Sequence, residues 1–421
     1  KYLEHKQFQM LLLLLQKFDI SINFKFRISF FLSIFFCKDI LLLHMRFLTA
    51  DYLFPLNKNP LKEGVLQVNE KGDVMAILKH RKLVPDRNLE FYNGILCPGF
   101  VNSHCHLELS HLKGMTTEGK GIIDFISNIK QRNNYSKQQI NVAIDLAEQQ
   151  MIKNGIVGVG DICNTNDTIN QKTKNNLRYY NFIEVFGVTN NTLDSIMIDA
   201  IDLRKQFREL NQKATITPHA SYSVVPALMK SITNNLDIKD DLITIHMNES
   251  KLENELFENK KGAFKDWLQE LNASHEIWEK RNKTLDSILE LETKKILLVH
   301  NTFANEDDLK ENYYCTCPKA NLYIENSLPD YSLFDSTKLC VGTDSLASNN
   351  SLSILEELKI IQDNSKFDLN TLLKISSKNG AEILGFKDLG SFTEGKNPGV
   401  NLIQNLDGLK IRNDSNILRI I

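Results

Sequence analysis

Eight short apolar runs, each followed by a longer polar stretch, constrain this chain more than any other feature of its sequence. They lie at residues 97–104, 155–162, 180–188, 214–217, 242–246, 296–300, 313–317 and 339–342. Runs of this kind suit strands buried on both faces, as in a parallel sheet covered by helices. Eight βα repeats close a parallel barrel, so the expected fold is α/β, a (β/α)8 TIM barrel. The stretches between the runs carry helix signals. Ser136 can cap a helix that runs through Ala143, Leu146 and Met151 and stops at Gly155. A last helix is expected over residues 369–384. Alternating patterns at 47–53, 64–69 and 74–78 read as short strands, as do 400–404 and 409–412 near the end. Residues 45–96 and 391–421 are therefore expected to form a small β-sandwich domain from both ends of the chain, with the barrel over 97–390.

Residues 1–44 do not share this organisation. The leucine run at 11–15 and the apolar run at 28–37, ended by Lys38 and Asp39, fall short of the roughly 20 residues that a membrane span requires. No charged, apolar and small-residue order marks a secretory signal. Met45 is the expected start of the folded protein, and residues 1–44 are read as an extension that need not be native. A membrane-associated segment is the competing reading. A formal net charge of -2 gives no electrostatic case for nucleic acid or an acidic membrane surface. Seven scattered cysteines argue against a disulfide framework and for a reducing compartment, the cytoplasm.

The polar residues at the ends of the apolar runs carry the chemistry, because barrel enzymes place catalytic groups at the C-terminal ends of their strands. His104 and His106 are two apart on the first strand, so both imidazoles can face one metal. His246 ends the fifth run, with Glu249 three residues on. His300 ends the sixth, and Asp344 follows the eighth. A lone histidine at a strand end is more often a hydrogen-bonded structural residue. Three such polar groups on three strands, after a His-x-His strand, form a set. Neutral imidazoles with one carboxylate leave a divalent ion net positive, able to lower the pKa of water to about 7. Glu249 is placed to act as the acid–base group.

These segments resemble the signatures of the amidohydrolase superfamily. Pro98-Gly99-Phe100-Val101-Asn102-Ser103-His104-Cys105-His106-Leu107-Glu108 is similar to its first-strand motif. Thr217-Pro218-His219-Ala220-Ser221-Tyr222-Ser223 resembles the fourth-strand motif of the deaminase branch. His246-Met247-Asn248-Glu249-Ser250 with Glu253, Val299-His300-Asn301-Thr302, Cys317-Pro318-Lys319-Ala320-Asn321 and Gly342-Thr343-Asp344-Ser345 resemble the next four. The resemblance runs from about Met45 to the C-terminus. It implies that His104, His106, His246 and Asp344 bind one divalent metal ion, zinc or else iron. It implies that Glu249 protonates a substrate ring nitrogen. His300 would orient metal-bound hydroxide and help stabilise the tetrahedral intermediate, and Asp344 would take the proton of the attacking water. His219 would contact substrate. The fourth strand offers no lysine, so a mononuclear site is expected.

The implied reaction is hydrolytic deamination of an amino-substituted N-heterocycle by metal-bound hydroxide. The stretch from His106 to His111 is similar to aminofutalosine deaminases, which implies an adenosine-like nucleoside, and S-adenosylhomocysteine and methylthioadenosine deaminases resemble it almost as well. Glu108 could read ribose hydroxyls or be a solvated or helix-capping carboxylate. Arg132 could meet a substrate carboxylate or be a charged helix-end residue. Cys105 should point away from the metal by alternation, and Cys315 and Cys317 read as barrel packing. The alternatives are an amidohydrolase acting on a cyclic amide, imidazolone or chloro-heterocycle and, remotely, a non-catalytic scaffold. The expected partner is a small-molecule substrate, and a homodimer is the default assembly.

Overall fold

The first and last strands of the described residues meet in one sheet. In the computed structural model, which describes residues 45–236, 241–291, 295–309 and 312–421, Phe47–Ile421 forms one compact unit. The readings made for residues 1–44 lie outside the described residues. Strands β1 (Met45–Leu53), β3 (Val65–Asn69) and β4 (Val74–Leu78) follow the alternating patterns, with β2 (Leu61–Lys62) between the first two. β5 (Leu89–Pro98) lies beside β1. Farther along the chain, β14 (Val400–Gln404) pairs antiparallel with β5, placing Val400 opposite Pro98, and β15 (Asn416–Arg419) pairs with β14. The sheet order is β15-β14-β5-β1-β3-β4, with β2 on β1. The last strand is not at 409–412, as the sequence suggested. Gly408, at φ 57°, turns the chain between Asp407 and Lys410 before the strand at Asn416–Arg419 forms.

The first apolar run is likewise divided. Cys97 and Pro98 end β5, and the chain restarts as β6 (Phe100–Cys105). Gly99 makes the passage: a Cβ there would lie 2.4 Å from Val157 Cγ1 and 2.8 Å from the Pro398 carbonyl oxygen. The remaining runs form β7 (Ile156–Cys163), β8 (Arg178–Val185), β9 (Lys213–Pro218), β10 (Ile243–Met247), β11 (Ile296–His300), β12 (Tyr313–Thr316) and β13 (Leu339–Val341). They build two parallel four-stranded sheets, β6-β7-β8-β9 and β10-β11-β12-β13. At one edge His246 N donates to the His219 carbonyl at 2.9 Å. At the other, Thr343 N and Asp344 N both donate to the His104 carbonyl at 3.1 Å.

Helices separate these strands. α1 (Ile122–Ile129) follows β6. α2 (Lys137–Lys153) begins at Ser136, whose hydroxyl accepts from Gln139 N while the Gln139 side chain accepts from Ser136 N. It gives way to Gly155 at φ 73°, where the expected stop lies. The last long helix covers Leu369–Leu373, a π turn at Lys374–Lys378 and Asn379–Ile383. Among the described residues, no helix is long and apolar enough to cross a membrane.

Candidate metal centre

Four side chains from three strand ends converge. His104 lies on β6 and His106 just past it, His246 lies on β10, and Asp344 lies three residues beyond β13. Their atoms meet closely: His106 Nε2 is 3.2 Å from His104 Nε2 and 3.3 Å from His246 Nε2. Asp344 Oδ1 lies 3.4 Å from His106 Nε2 and 3.5 Å from His104 Nε2. Ligands about 2.0–2.1 Å from a tetrahedral ion stand roughly 3.3 Å apart. His246 Nδ1 lies 2.7 Å from the His219 carbonyl, so it carries the proton and leaves the Nε2 lone pair facing His106. Converging lone pairs repel unless a cation stands among them. The donor set therefore fits one divalent ion, and its imidazoles and carboxylate suit zinc or iron.

Backbone details bring these donors together. Gly342 packs against β6 so closely that a Cβ would lie 2.7 Å from the His104 carbonyl oxygen. Asn102 bonds both the backbone N and the hydroxyl of Thr343, at 3.0 and 2.7 Å, tying β6 to the Asp344 loop. Asp344 and His300 hold left-handed backbones, at φ 56° and 71°, a cost that non-glycine residues bear chiefly where surrounding structure imposes it. Ser348 Oγ donates to Asp344 Oδ2.

The electrostatics match metal ligation. Burial pushes His106 down to about 3 and holds His246 well below its ordinary value, so both are neutral donors near pH 7. Burial alone would raise Asp344, but the hydrogen bond from His104, with the imidazoles of His106 and His300 beside it, outweighs burial and holds the carboxyl well below the usual range. Glu249 behaves oppositely. Burial, then the charges of Asp344 and Glu253, hold it well above the carboxylate range. Its Oε1 lies 3.5 Å from Nε2 of His300, which burial pushes down to about 4. Asn321 Oδ1 accepts from His300 Nδ1 at 2.8 Å.

The expected substrate contacts are placed less uniformly. His219 is half-buried, with its ring 4.9 Å from that of His246 and its Nδ1 2.7 Å from Ser223 Oγ. Glu108 is buried rather than solvated. Its Oε2 accepts from the backbone N of Asn164 and Thr165, at 3.1 and 3.0 Å, and its Oε1 lies 3.7 Å from Arg132. Arg132 lines a cavity of about 550 Å³ with Asn164, Glu184 and Phe186. A larger cavity, about 860 Å³, lies at the opposite ends of the strands, near Lys213 and Tyr313. Cys105, Cys315 and Cys317 pack in apolar clusters.

Sequence reasoning passed over Glu184 and Asn321. Glu184 lies near the end of β8, its Oε1 3.6 Å from His246 Nδ1, and burial pushes it up to about 7. The available signal was a carboxylate inside an apolar strand, which is costly without a purpose.

The amidohydrolase family model matches residues 95–413. The chain is 26% identical over 332 residues to the aminodeoxyfutalosine deaminase of Nitratiruptor sp., covering 75% of this chain and 80% of that one. Its fold is similar to Helicobacter pylori aminofutalosine deaminase in complex with methylthio-coformycin, with a TM-score of 0.71, 22% identity and coverage of 87% and 93%. It is also similar to a Xanthomonas campestris adenosine deaminase with bound zinc, with a TM-score of 0.66, 19% identity and coverage of 85% and 84%. The family match spans well over half of the sequence, and the chain belongs to the amidohydrolase family.

Proposed function

We propose that the protein is a metal-dependent hydrolytic deaminase of an amino-substituted N-heterocycle, specifically an adenosine-like nucleoside of the aminofutalosine type. The observation that carries this reading is Glu249, buried and 3.5 Å from His300 Nε2, beside the converging donors His104, His106, His246 and Asp344. The deaminase relatives support the nucleoside class.

His104, His106, His246 and Asp344 would hold one divalent ion, zinc or else iron. When bound, the ion supplies Lewis acidity that lowers the pKa of water from about 16 to about 7. Asp344, kept ionised, takes a proton from the attacking water and returns it to the departing amine. Glu249 delivers its proton to the ring nitrogen beside the amino-bearing carbon, which removes aromatic stability there, and regains one from the hydroxyl of the tetrahedral intermediate as ammonia leaves. His300, with Nδ1 donating to Asn321, presents the Nε2 lone pair to orient the water. By accepting a hydrogen bond from the attacking oxygen, His300 would help stabilise the tetrahedral intermediate. His219, Glu108 and Arg132 would contact substrate, with Arg132 at the 550 Å³ cavity.

The eight parallel strands would close as a (β/α)8 barrel over residues 97–390. The backbone hydrogen bonds from β10 to His219, just past β9, and from Thr343 and Asp344, just past β13, to β6 support closure. Residues 45–96 and 391–421 would fold as a small β-sandwich, supported by the shared cluster of Leu48, Leu66, Leu96, Phe392 and Leu402. The six described cysteines are free and buried, which supports a cytoplasmic enzyme. A homodimer remains the default assembly.

The test is ammonia release by zinc-loaded protein from 6-amino-6-deoxyfutalosine, S-adenosylhomocysteine, methylthioadenosine, adenosine, guanine and cytosine. Release from an adenosine-like compound, lost in Glu249→Gln, is expected. Release from guanine or cytosine alone would overturn the nucleoside class. No release from any compound would overturn deamination and point to a cyclic amide, imidazolone or chloro-heterocycle.

A further inference from the structure

Among the candidate ligands, His106 is held differently from His246. The outer nitrogen of His246 is fixed by the His219 carbonyl, whereas Nδ1 of His106 is buried with no hydrogen-bond partner among the described residues. The backbone beside His106 is fixed instead. The N–H of Leu107 donates to Asp161 Oδ1 at 2.8 Å, and Asp161 stands opposite Cys105 in the pairing of β6 with β7. Asp161 Oδ2 lies 2.5 Å from Lys172 Nζ, and both side chains are wholly inaccessible to solvent. Lys172 also donates to Asn181 Oδ1 at 2.7 Å, and its ammonium lies 5.0 Å from the ring centroids of Tyr179 and Phe207.

A buried ion pair is a poor source of stability, because desolvating two charges offsets most of their attraction. Such a pair is better suited to fixing one geometry. We infer that the Lys172–Asp161 pair is a positioning device: it holds the Asp161 carboxylate in one orientation, which clamps the His106–Leu107 peptide and aims His106 at the metal. Cys163 Sγ donates to the same Asp161 Oδ2 at 3.7 Å, and Lys172 ties that carboxylate to Asn181, so the carboxylate is held from two sides. This rests on the proposed metal site. Neither residue touches the ion or the substrate; they act through His106. The stretch at residues 169–172 carries no motif that would have marked Lys172.

The experiment measures zinc affinity by competition with a chromophoric chelator, alongside melting temperature. The parent protein is first shown to bind one zinc per chain; failure there overturns the metal site and this proposal with it. Two charge-neutral double variants are then compared. Asp161→Asn with Lys172→Met keeps a carbonyl acceptor for Leu107, whereas Asp161→Leu with Lys172→Met removes it. Positioning predicts zinc binding about 10-fold to 100-fold weaker in the leucine variant than in the asparagine variant, the range expected for loss of an outer-shell partner. It also predicts an altered visible spectrum of the cobalt-loaded leucine variant. Equal affinities and spectra in two folded variants would overturn the proposal. Should the leucine variant not fold, Asp161→Ala with Lys172→Met removes the same acceptor with a smaller side chain. The same loss is then expected, and parental affinity would overturn the proposal.

Discussion

His300 Nδ1 lies 2.8 Å from Asn321 Oδ1, while its Nε2 faces Glu249 Oε1 at 3.5 Å. Asn321 thus sets both the tautomer and the direction of a ring that stacks on His246 with centroids 5.4 Å apart. Asn321→Leu should lower kcat by about 10-fold to 100-fold, less than the 10²–10⁴ that positioned proton transfer contributes. Zinc content should stay at the parental level. Parallel measurement of kcat and bound zinc checks this, and loss of zinc would instead make Asn321 a support of the metal site.

Glu249→Gln keeps the side chain's shape and removes its transferable proton. Steady-state kinetics should give a kcat lower by about 10²–10⁴-fold at unchanged melting temperature. The parental pH profile should fall on the alkaline side, because a carboxyl raised by burial is active only below its own pKa. A profile that keeps rising with pH would contradict an acid role for Glu249.

Asp344 supplies the carboxylate among the converging donors. Asp344→Asn should weaken zinc binding by more than the roughly 100-fold that loss of an outer-shell partner can cost. Equilibrium dialysis checks this, and parental affinity would remove Asp344 from the ligand set.

How much of this was legible beforehand depends on the range of the interactions. The eight apolar runs were visible because strands buried on both faces must be apolar throughout, and His104, His106, His246, His300 and Asp344 stood out as polar residues ending or following them. The division at Gly99 was hidden, because it depends on the approach of Val157 and Pro398, far away in sequence. The final strand was misplaced because Gly408 turns a chain whose apolar pattern looked continuous. Lys172 sits in a short helical turn, and only the fold shows that its ammonium is buried against Asp161.

The buried carboxyls also set a pH dependence of stability. Burial pushes Glu108, Glu184 and Glu253 up to about 7 and Glu357 up to about 8, from 4.5. The folded state therefore holds more protons than the unfolded state between pH 4.5 and these values, and the stability they contribute is lost as pH rises through them. The lowered histidines act oppositely, but only below their unfolded value of 6.5. Calorimetry of metal-free protein should show the melting temperature falling between about pH 6.5 and 8.5, less steeply in Glu357→Gln. A rise over that range would contradict these buried, uncharged carboxyls.

The most direct test of a mononuclear deaminase is a zinc titration of metal-free protein, following ammonia release from the best adenosine-like substrate. Activity should rise linearly and saturate at one zinc per chain. Saturation at two ions, or full zinc binding with no ammonia released, would contradict it.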